Sequence, residues 1–208
     1  MASPGFCRTC LDTLVEFDSG CIRCAEPNAI GFCIRCRRRK PPFSSITAPY
    51  LYGGQLAEAI KKLKFQKQAH LARSLAAVVR EAFTQASKGF DVAVPVPLHS
   101  LRMATRGFNQ SQELLRHLAK GPPFPTASLL RRRGWQTAQS KLRGAKRFEN
   151  PQNAFRTPRL LRRAAVGKRV LLVDDVVSTT ATMRAAASAL LVAGATEVAG
   201  FCVARVEA

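Results

Sequence analysis

The sequence predicts an α/β fold, a mostly parallel twisted sheet flanked by helices, with a small cysteine-rich segment ahead of it. Three observations predict this. Residues 169–203 read strand, helix, strand, a spacing that requires parallel strands joined by a right-handed crossover. A second apolar run, Val92-Ala93-Val94-Pro95-Val96, has the character of a strand buried on both faces. Three Cys-x-x-Cys pairs crowd into residues 7–36, where continuous apolar periodicity is lacking. The division is therefore drawn as 1–41 for the cysteine-rich segment and 42–208 for the α/β domain. The break falls at Pro41-Pro42, just after the charge run Arg37-Arg38-Arg39-Lys40.

Along the domain, Ile46 to Tyr52 is β-like and stops at Gly53-Gly54. Leu56, Ile60 and Leu63 recur at a helical period within 55–65, and Leu71, Leu75, Val78, Val79 and Phe83 do so across 69–86. Asn109 to Ala119 is a predicted helix, Gly121-Pro122-Pro123 a turn, and Thr126 to Leu130 a further strand. The basic stretch 131–169 has weak periodicity and predicts loop with short helical pieces. Arg169 to Val173 is an apolar-cored strand, Thr182 to Val192 an alanine-rich helix stopped by Gly194, and Val198 to Val203 a closing strand.

With 208 residues and 47% hydrophobic composition, the chain can bury one full core and carry a small appendage. Its charge is unusual: 33 Lys and Arg against 13 Asp and Glu give a net +20, which favours polyanionic partners. The excess is concentrated. Between Leu98 and Arg169 there are 17 basic residues and 2 acidic ones. Arg131-Arg132-Arg133 with Trp135, and Arg147 beside Phe148, place rings among cations, a mixture suited to single-stranded nucleic acid. The alternative is a solvated stretch that touches only a small phosphate. Residues 1–7 hold no apolar run that could serve as a signal peptide, and nothing approaches the ~18 apolar residues of a membrane span. A cytoplasmic location with reduced thiols is the expectation.

Cys7 and Cys10, Cys21 and Cys24, and Cys33 and Cys36 form the pairs, and any two pairs supply the four thiolates of a tetrahedral Zn²⁺ site. Six ligands do not divide into fours, so spacing alone leaves the set open. Cys202 stands in an apolar strand and reads as a core residue.

The most informative stretch runs Val170-Leu171-Leu172-Val173-Asp174-Asp175-Val176-Val177-Ser178-Thr179-Thr180-Ala181-Thr182. Two carboxylates stand at the C-terminal edge of a buried strand, where open α/β sheets bind ligands. Hydroxyl residues then lead into a helix start, whose free N–H groups favour phosphate. Acids beside a hydroxyl loop suit a ribose that carries a 5-phosphate. The plainer reading makes Asp174 and Asp175 turn residues and the hydroxyls a helix cap.

This stretch resembles the phosphoribosyl pyrophosphate (PRPP) signature of type I phosphoribosyltransferases. The resemblance implies their fold, with Asp174 and Asp175 on the ribose hydroxyls, Ser178, Thr179, Thr180, Ala181 and Thr182 around the 5-phosphate, and Mg²⁺ accompanying PRPP. One departure is Thr180, where the signature has glycine. If that position needed φ > 0, a side chain would cost about 1–2 kcal/mol. Asp91 to His99 is similar to the pyrophosphate-loop strand of that fold, which implies a pyrophosphate or mobile-loop role for Pro97, Leu98, His99, Arg102 and Arg106. The run Arg106-Gly107-Phe108-Asn109-Gln110-Ser111 after that strand resembles the ComF family of competence proteins. Tyr52-Gly53, Lys64-Phe65, Gln139, Arg147, Asn150, Ala154 and Phe155 match it too. The resemblance to longer relatives in that family implies Cys21, Cys24, Cys33 and Cys36 as the zinc ribbon in preference to Cys7 and Cys10. The family implies PRPP and single-stranded DNA as ligands and DNA-uptake proteins as partners. Transfer of ribose 5-phosphate to an unidentified nitrogen nucleophile is the enzymatic alternative.

Overall fold

The computed structural model describes residues 5–120, 124–132 and 154–207. Two short helices, α1 (Arg8–Asp12) and α2 (Ile34–Arg38), belong to the cysteine-rich segment. Then come β1 (Ile46–Thr47), β2 (Tyr50–Leu51), α3 (Gly54–Phe65), α4 (Leu71–Val78), α5 (Arg80–Ala86) and β3 (Val92–Pro95). They are followed by α6 (Ser100–Arg106), α7 (Gln110–Leu118), β4 (Arg131–Arg132), β5 (Phe155–Arg156), β6 (Arg169–Val177), α8 (Ala181–Val192) and β7 (Glu197–Arg205). A 3-10 helix spans Arg159–Ala164.

The described residues build one parallel sheet in the order β1-β7-β6-β3, with β2 also on β7. The β6–β7 pairing is its spine, running in register from Arg169↔Glu197 to Val177↔Arg205. Successive side chains on a strand point to opposite faces, and the core divides accordingly. Val170, Leu172, Val198 and Cys202 join α8 residues Met183, Ala186 and Leu190 in one cluster. Leu171, Val173, Ala199, Phe201 and Val203 join Ile60, Leu63, Leu75, Phe83 and Leu114 from α3, α4, α5 and α7 in the other. A strand buried on both faces has no place for polar side chains until its end, and β6 carries its acids there.

Several expectations are refined. The stretch from Ile46 to Tyr52 forms two short strands, not one; Pro49, which has no N–H to donate, lies between them. The helical period across 69–86 is divided at Val79, whose φ and ψ of −101° and 9° leave the helical region. Of the strand expected at 126–130, a bridge between Thr126 and Ala93 forms, while Arg131–Arg132 pairs antiparallel with Phe155–Arg156. The β6 strand runs four residues beyond Val173, through both acids, because Val176 and Val177 continue the ladder with β7. Gly194 ends α8 as expected, at φ +104°.

The cysteine-rich segment is packed onto this frame. The Leu51 N–H donates to Val15 O and the Phe17 N–H to Pro49 O, both at 2.8 Å, so the segment covers the β2 edge. Cys21, Cys24, Cys33 and Cys36 share a buried cluster with Phe43 and Ile46. Arg205, at the end of β7, is 1% exposed, and its guanidinium pairs with Glu26, which also takes Arg35. A buried cation stripped of its partner is costly. Glu26→Gln is therefore expected to lower unfolding stability by about 3 kcal/mol in urea titrations of zinc-loaded protein. Removing Lys61 from its exposed pair with Glu58 should change it by less than about 1 kcal/mol. Equal effects of the two substitutions would contradict this assignment.

Candidate functional site

The acid pair lies where the sheet opens. Asp174 is half-buried and Asp175 is 6% exposed. Each is held by a residue from a different helix. Ser111, in the first turn of α7, donates its hydroxyl to Asp174 Oδ1 at 2.8 Å, and the Asp175 N–H reaches the same oxygen at 2.9 Å. Lys64, in the last turn of α3, places Nζ 2.8 Å from Asp175 Oδ1. Asn109 makes the Ser111 contact possible: it caps α7 by accepting from the Ser111 N–H at 3.1 Å while its own amide donates to Val96 O at 3.1 Å. Gly107, at φ +82°, turns the chain between α6 and α7. Burial, and then the negative Asp175 alongside, push the Asp174 carboxyl up to about 7, against the opposing hydrogen bonds from Ser111 and the Asp175 N–H and the charge of Lys64.

Beside the acids lies a cationic cavity of about 320 Å³ lined by Lys64, Phe65, Lys67, Arg102, Thr105 and Arg106. Arg102 and Arg106 are four residues apart in α6, so they lie on neighbouring turns of one helix face. The Arg106 guanidinium stacks over the Phe65 ring, 4.9 Å from its centroid. Burial, then the charge of Arg102, lower the Arg106 pKa, while Asp175 opposes the shift. Such a crowded set of cations is suited to a polyanion.

The remaining sequence candidates are placed as follows. Pro97, Leu98 and His99 are half-buried between β3 and α6 and do not line the cavity. Ser178 and Thr179 are exposed after β6, and Thr180, Ala181 and Thr182 begin α8. The strain considered for Thr180 is absent: its φ is −80°, its backbone carbonyl accepts from Arg184 N–H at 2.8 Å, and its hydroxyl accepts from Arg184 Nε at 3.0 Å. No side chain caps α8, so its first N–H groups can meet an anion. Arg131 donates to the carbonyls of Ser128 and Leu130, both at 3.0 Å, and Arg132 lies 5.4 Å from the Phe155 ring centroid. Arg133, Trp135, Gln139, Arg147, Phe148 and Asn150 lie outside the described residues. Sequence reasoning recorded Lys64 and Ser111 without a role; as one cation and one hydroxyl on amphipathic helices, they carry no local signal of their contacts with the acids.

The sulfurs of Cys21, Cys24, Cys33 and Cys36 lie within 4.8 Å of one another, with Cys24 and Cys33 3.6 Å apart. Tetrahedral Zn²⁺ at about 2.3 Å from each thiolate needs sulfurs about 3.8 Å apart, so the residues fit the ion. Burial raises the Cys21 thiol, but the backbone N–H groups of Cys33, Cys24 and Arg23 outweigh it and bring the thiol to about 6. Cys7 and Cys10 stand outside this cluster.

Comparison with known proteins agrees with this architecture. Residues 103–208 match the family described as Phosphoribosyl transferase domain. The chain is 31% identical, over 97% of its length and 90% of the relative's, to DNA utilization protein YhgH of Salmonella typhimurium. It is 27% identical to Competence protein F of Haemophilus influenzae, over 99% of this chain and 92% of that one. It is 30% identical to Competence protein ComFC of Bacillus subtilis, over 75% of this chain and 62% of that one. A solved structure titled as the allosteric regulatory enzyme of purine biosynthesis is similar at TM-score 0.40 and 21% identity, over 66% of this chain and 26% of that one. The family match over residues 103–208 makes the fold that of phosphoribosyltransferases. The chain belongs to the ComF family.

Two outcomes are expected at these centres. Purified protein should contain about one Zn²⁺ per chain by elemental analysis, lost on replacing Cys21 and Cys24 by Ser and kept on replacing Cys7 and Cys10. Asp174, raised from the ~3.9 of an unfolded aspartate, stabilises the fold in its protonated form. That contribution should be complete below about pH 4 and lost as pH rises through about 7. Asp174→Asn should accordingly raise the melting temperature at pH 8 more than at pH 5; the reverse order would contradict the assigned shift.

Proposed function

We propose that this chain binds PRPP at the acid pair and its cationic cavity, binds single-stranded DNA, and serves DNA utilisation in the cytoplasm. The observation that carries the proposal is the juxtaposition of Asp174 and Asp175 with a cavity lined by Lys64, Lys67, Arg102 and Arg106. A sugar diol donates to carboxylates, and a pyrophosphate needs cations a few ångströms away; one molecule with both groups matches both halves. The 5-phosphate would take the loop from Ser178 and the uncapped start of α8. Mg²⁺, an oxygen-seeking ion held by one or two carboxylates together with substrate phosphates, fits this donor set and would neutralise the pyrophosphate. The names of the relatives, DNA utilization and competence proteins, support the DNA half, as does the basic stretch 98–169. We also propose residues 1–41 as a unit whose folding depends on its zinc.

A second reading is favoured by one observation. Thr180 occupies a backbone conformation open to any residue, so its departure from the signature glycine does not strain the phosphate loop. That leaves transfer of ribose 5-phosphate from PRPP to a nitrogen nucleophile open as chemistry for this site. In that reaction the acid pair would stabilise positive charge on the ribose carbon as pyrophosphate departs.

Calorimetric titration distinguishes these readings. PRPP should bind in the presence of Mg²⁺, and Asp175→Ala or Arg106→Ala should weaken it more than tenfold, about 1.4 kcal/mol. Unchanged binding in both variants would place PRPP elsewhere, and pyrophosphate release with a nitrogen acceptor would favour the enzyme. For DNA, single-strand affinity should fall steeply with salt. Reversing charge at Arg131, Arg132 and Arg133 should flatten that dependence, whereas Trp135→Ala should weaken binding and leave the slope nearly intact.

A further inference from the structure

Cys7 and Cys10 lie outside the four-cysteine cluster, and their geometry is that of a paired dithiol. Their sulfurs are 3.2 Å apart. Cys7 is exposed and Cys10 half-exposed, whereas the four clustered cysteines are buried. Among the described residues, those four are the only group of three or more metal-ligating side chains gathered closely enough to share an ion, so this pair has no complement of ligands. The pair is also anchored. Phe6, directly before it, is 5% exposed within the core, and Leu11 and Leu14 pack against the same cluster. The Leu11 N–H donates to Cys7 O at 3.0 Å, and the Cys10 N–H approaches Cys7 Sγ at 3.4 Å.

The two thiols are unequal. Contact with the Cys10 thiol, and then the Cys10 N–H, hold Cys7 below the ordinary thiol range, and the same contact raises Cys10. The better thiolate is thus the one open to solvent, and the poorer one lies behind it. In thiol–disulfide exchange the first arrangement suits an attacking sulfur and the second a resolving one.

We propose that Cys7 and Cys10 form a thiol–disulfide exchange site for small disulfides of the glutathione type. The Cys7 thiolate attacks one sulfur of glutathione disulfide, forming a mixed disulfide and expelling a glutathione thiolate that takes up a proton. Cys10 loses its proton and attacks Cys7 Sγ, closing the Cys7–Cys10 bond and expelling the second glutathione. The two protein thiols give up two electrons and two protons, and one glutathione disulfide becomes two glutathione thiols. Closing the bond needs the sulfurs to approach by about 1 Å, to about 2.05 Å. The site is independent of the PRPP reading.

Zinc-loaded protein treated with glutathione disulfide, then alkylated and mapped by peptide mass spectrometry, tests the proposal. The expected product is a Cys7–Cys10 disulfide with zinc fully retained. Cys10→Ser should accumulate the glutathione adduct on Cys7, and Cys7→Ser should react at Cys10 at least tenfold more slowly. Failure of the unsubstituted protein to form the Cys7–Cys10 bond in excess oxidant would overturn the proposal. So would equal rates at the two positions, or a second zinc ion per chain protecting the pair from alkylation.

Discussion

Adjacent carboxylates at the end of a buried strand repel one another in a medium that screens charge poorly, and the surroundings of Asp174 and Asp175 answer that constraint. Lys64 reaches Asp175 from α3, and Ser111 reaches Asp174 from α7. Each contact ties a helix on one face of the sheet to the strand end, so charge compensation joins the end of α3 and the start of α7 to the acids. The compensation is incomplete: burial and the neighbouring Asp175 still push the Asp174 carboxyl up to about 7. A ligand that brings hydroxyl donors, or a divalent cation, would complete it, which is the physical ground for the sugar site proposed at this strand end.

The cysteine-rich segment bears on the same edge. Arg205 pairs with Val177 in the β6–β7 register, three positions beyond Asp174, and its guanidinium is held by Glu26 from between the two clustered cysteine pairs. If this cluster takes up zinc as proposed, metal binding would supply folding energy to so small a segment, and the Glu26–Arg205 pair would carry part of that order to the end of β7.

Much of the fold was legible because burial leaves a strong pattern. The apolar runs at 92–96 and 170–173 and the alanine-rich helix before Gly194 could hardly be read otherwise. The lengths were less legible: β6 continues through Asp174 and Asp175 because pairing with β7 outweighs the low strand propensity of aspartate. Nor did periodicity reveal α6, a short and mostly exposed helix, although the four-residue spacing of Arg102 and Arg106 was a usable signal. The acid pair was found from its own stretch, and its partners were not. Lys64 looks like any cation beside Lys61 and Lys62, and only packing shows that it turns inward. Spacing alone leaves the choice among cysteine pairs open; the family resemblance pointed to Cys21, Cys24, Cys33 and Cys36, and these are the four whose sulfurs the fold gathers.

The central claim is that one ligand spans the acid pair and the cationic cavity. A crystal structure with PRPP and Mg²⁺ tests it most directly. The account predicts the ribose hydroxyls within hydrogen-bond distance of Asp174 and Asp175, and the pyrophosphate beside Arg102 and Arg106. PRPP bound with its pyrophosphate outside that cavity, or with the Lys64–Asp175 and Ser111–Asp174 contacts intact and no sugar against the carboxylates, would contradict it.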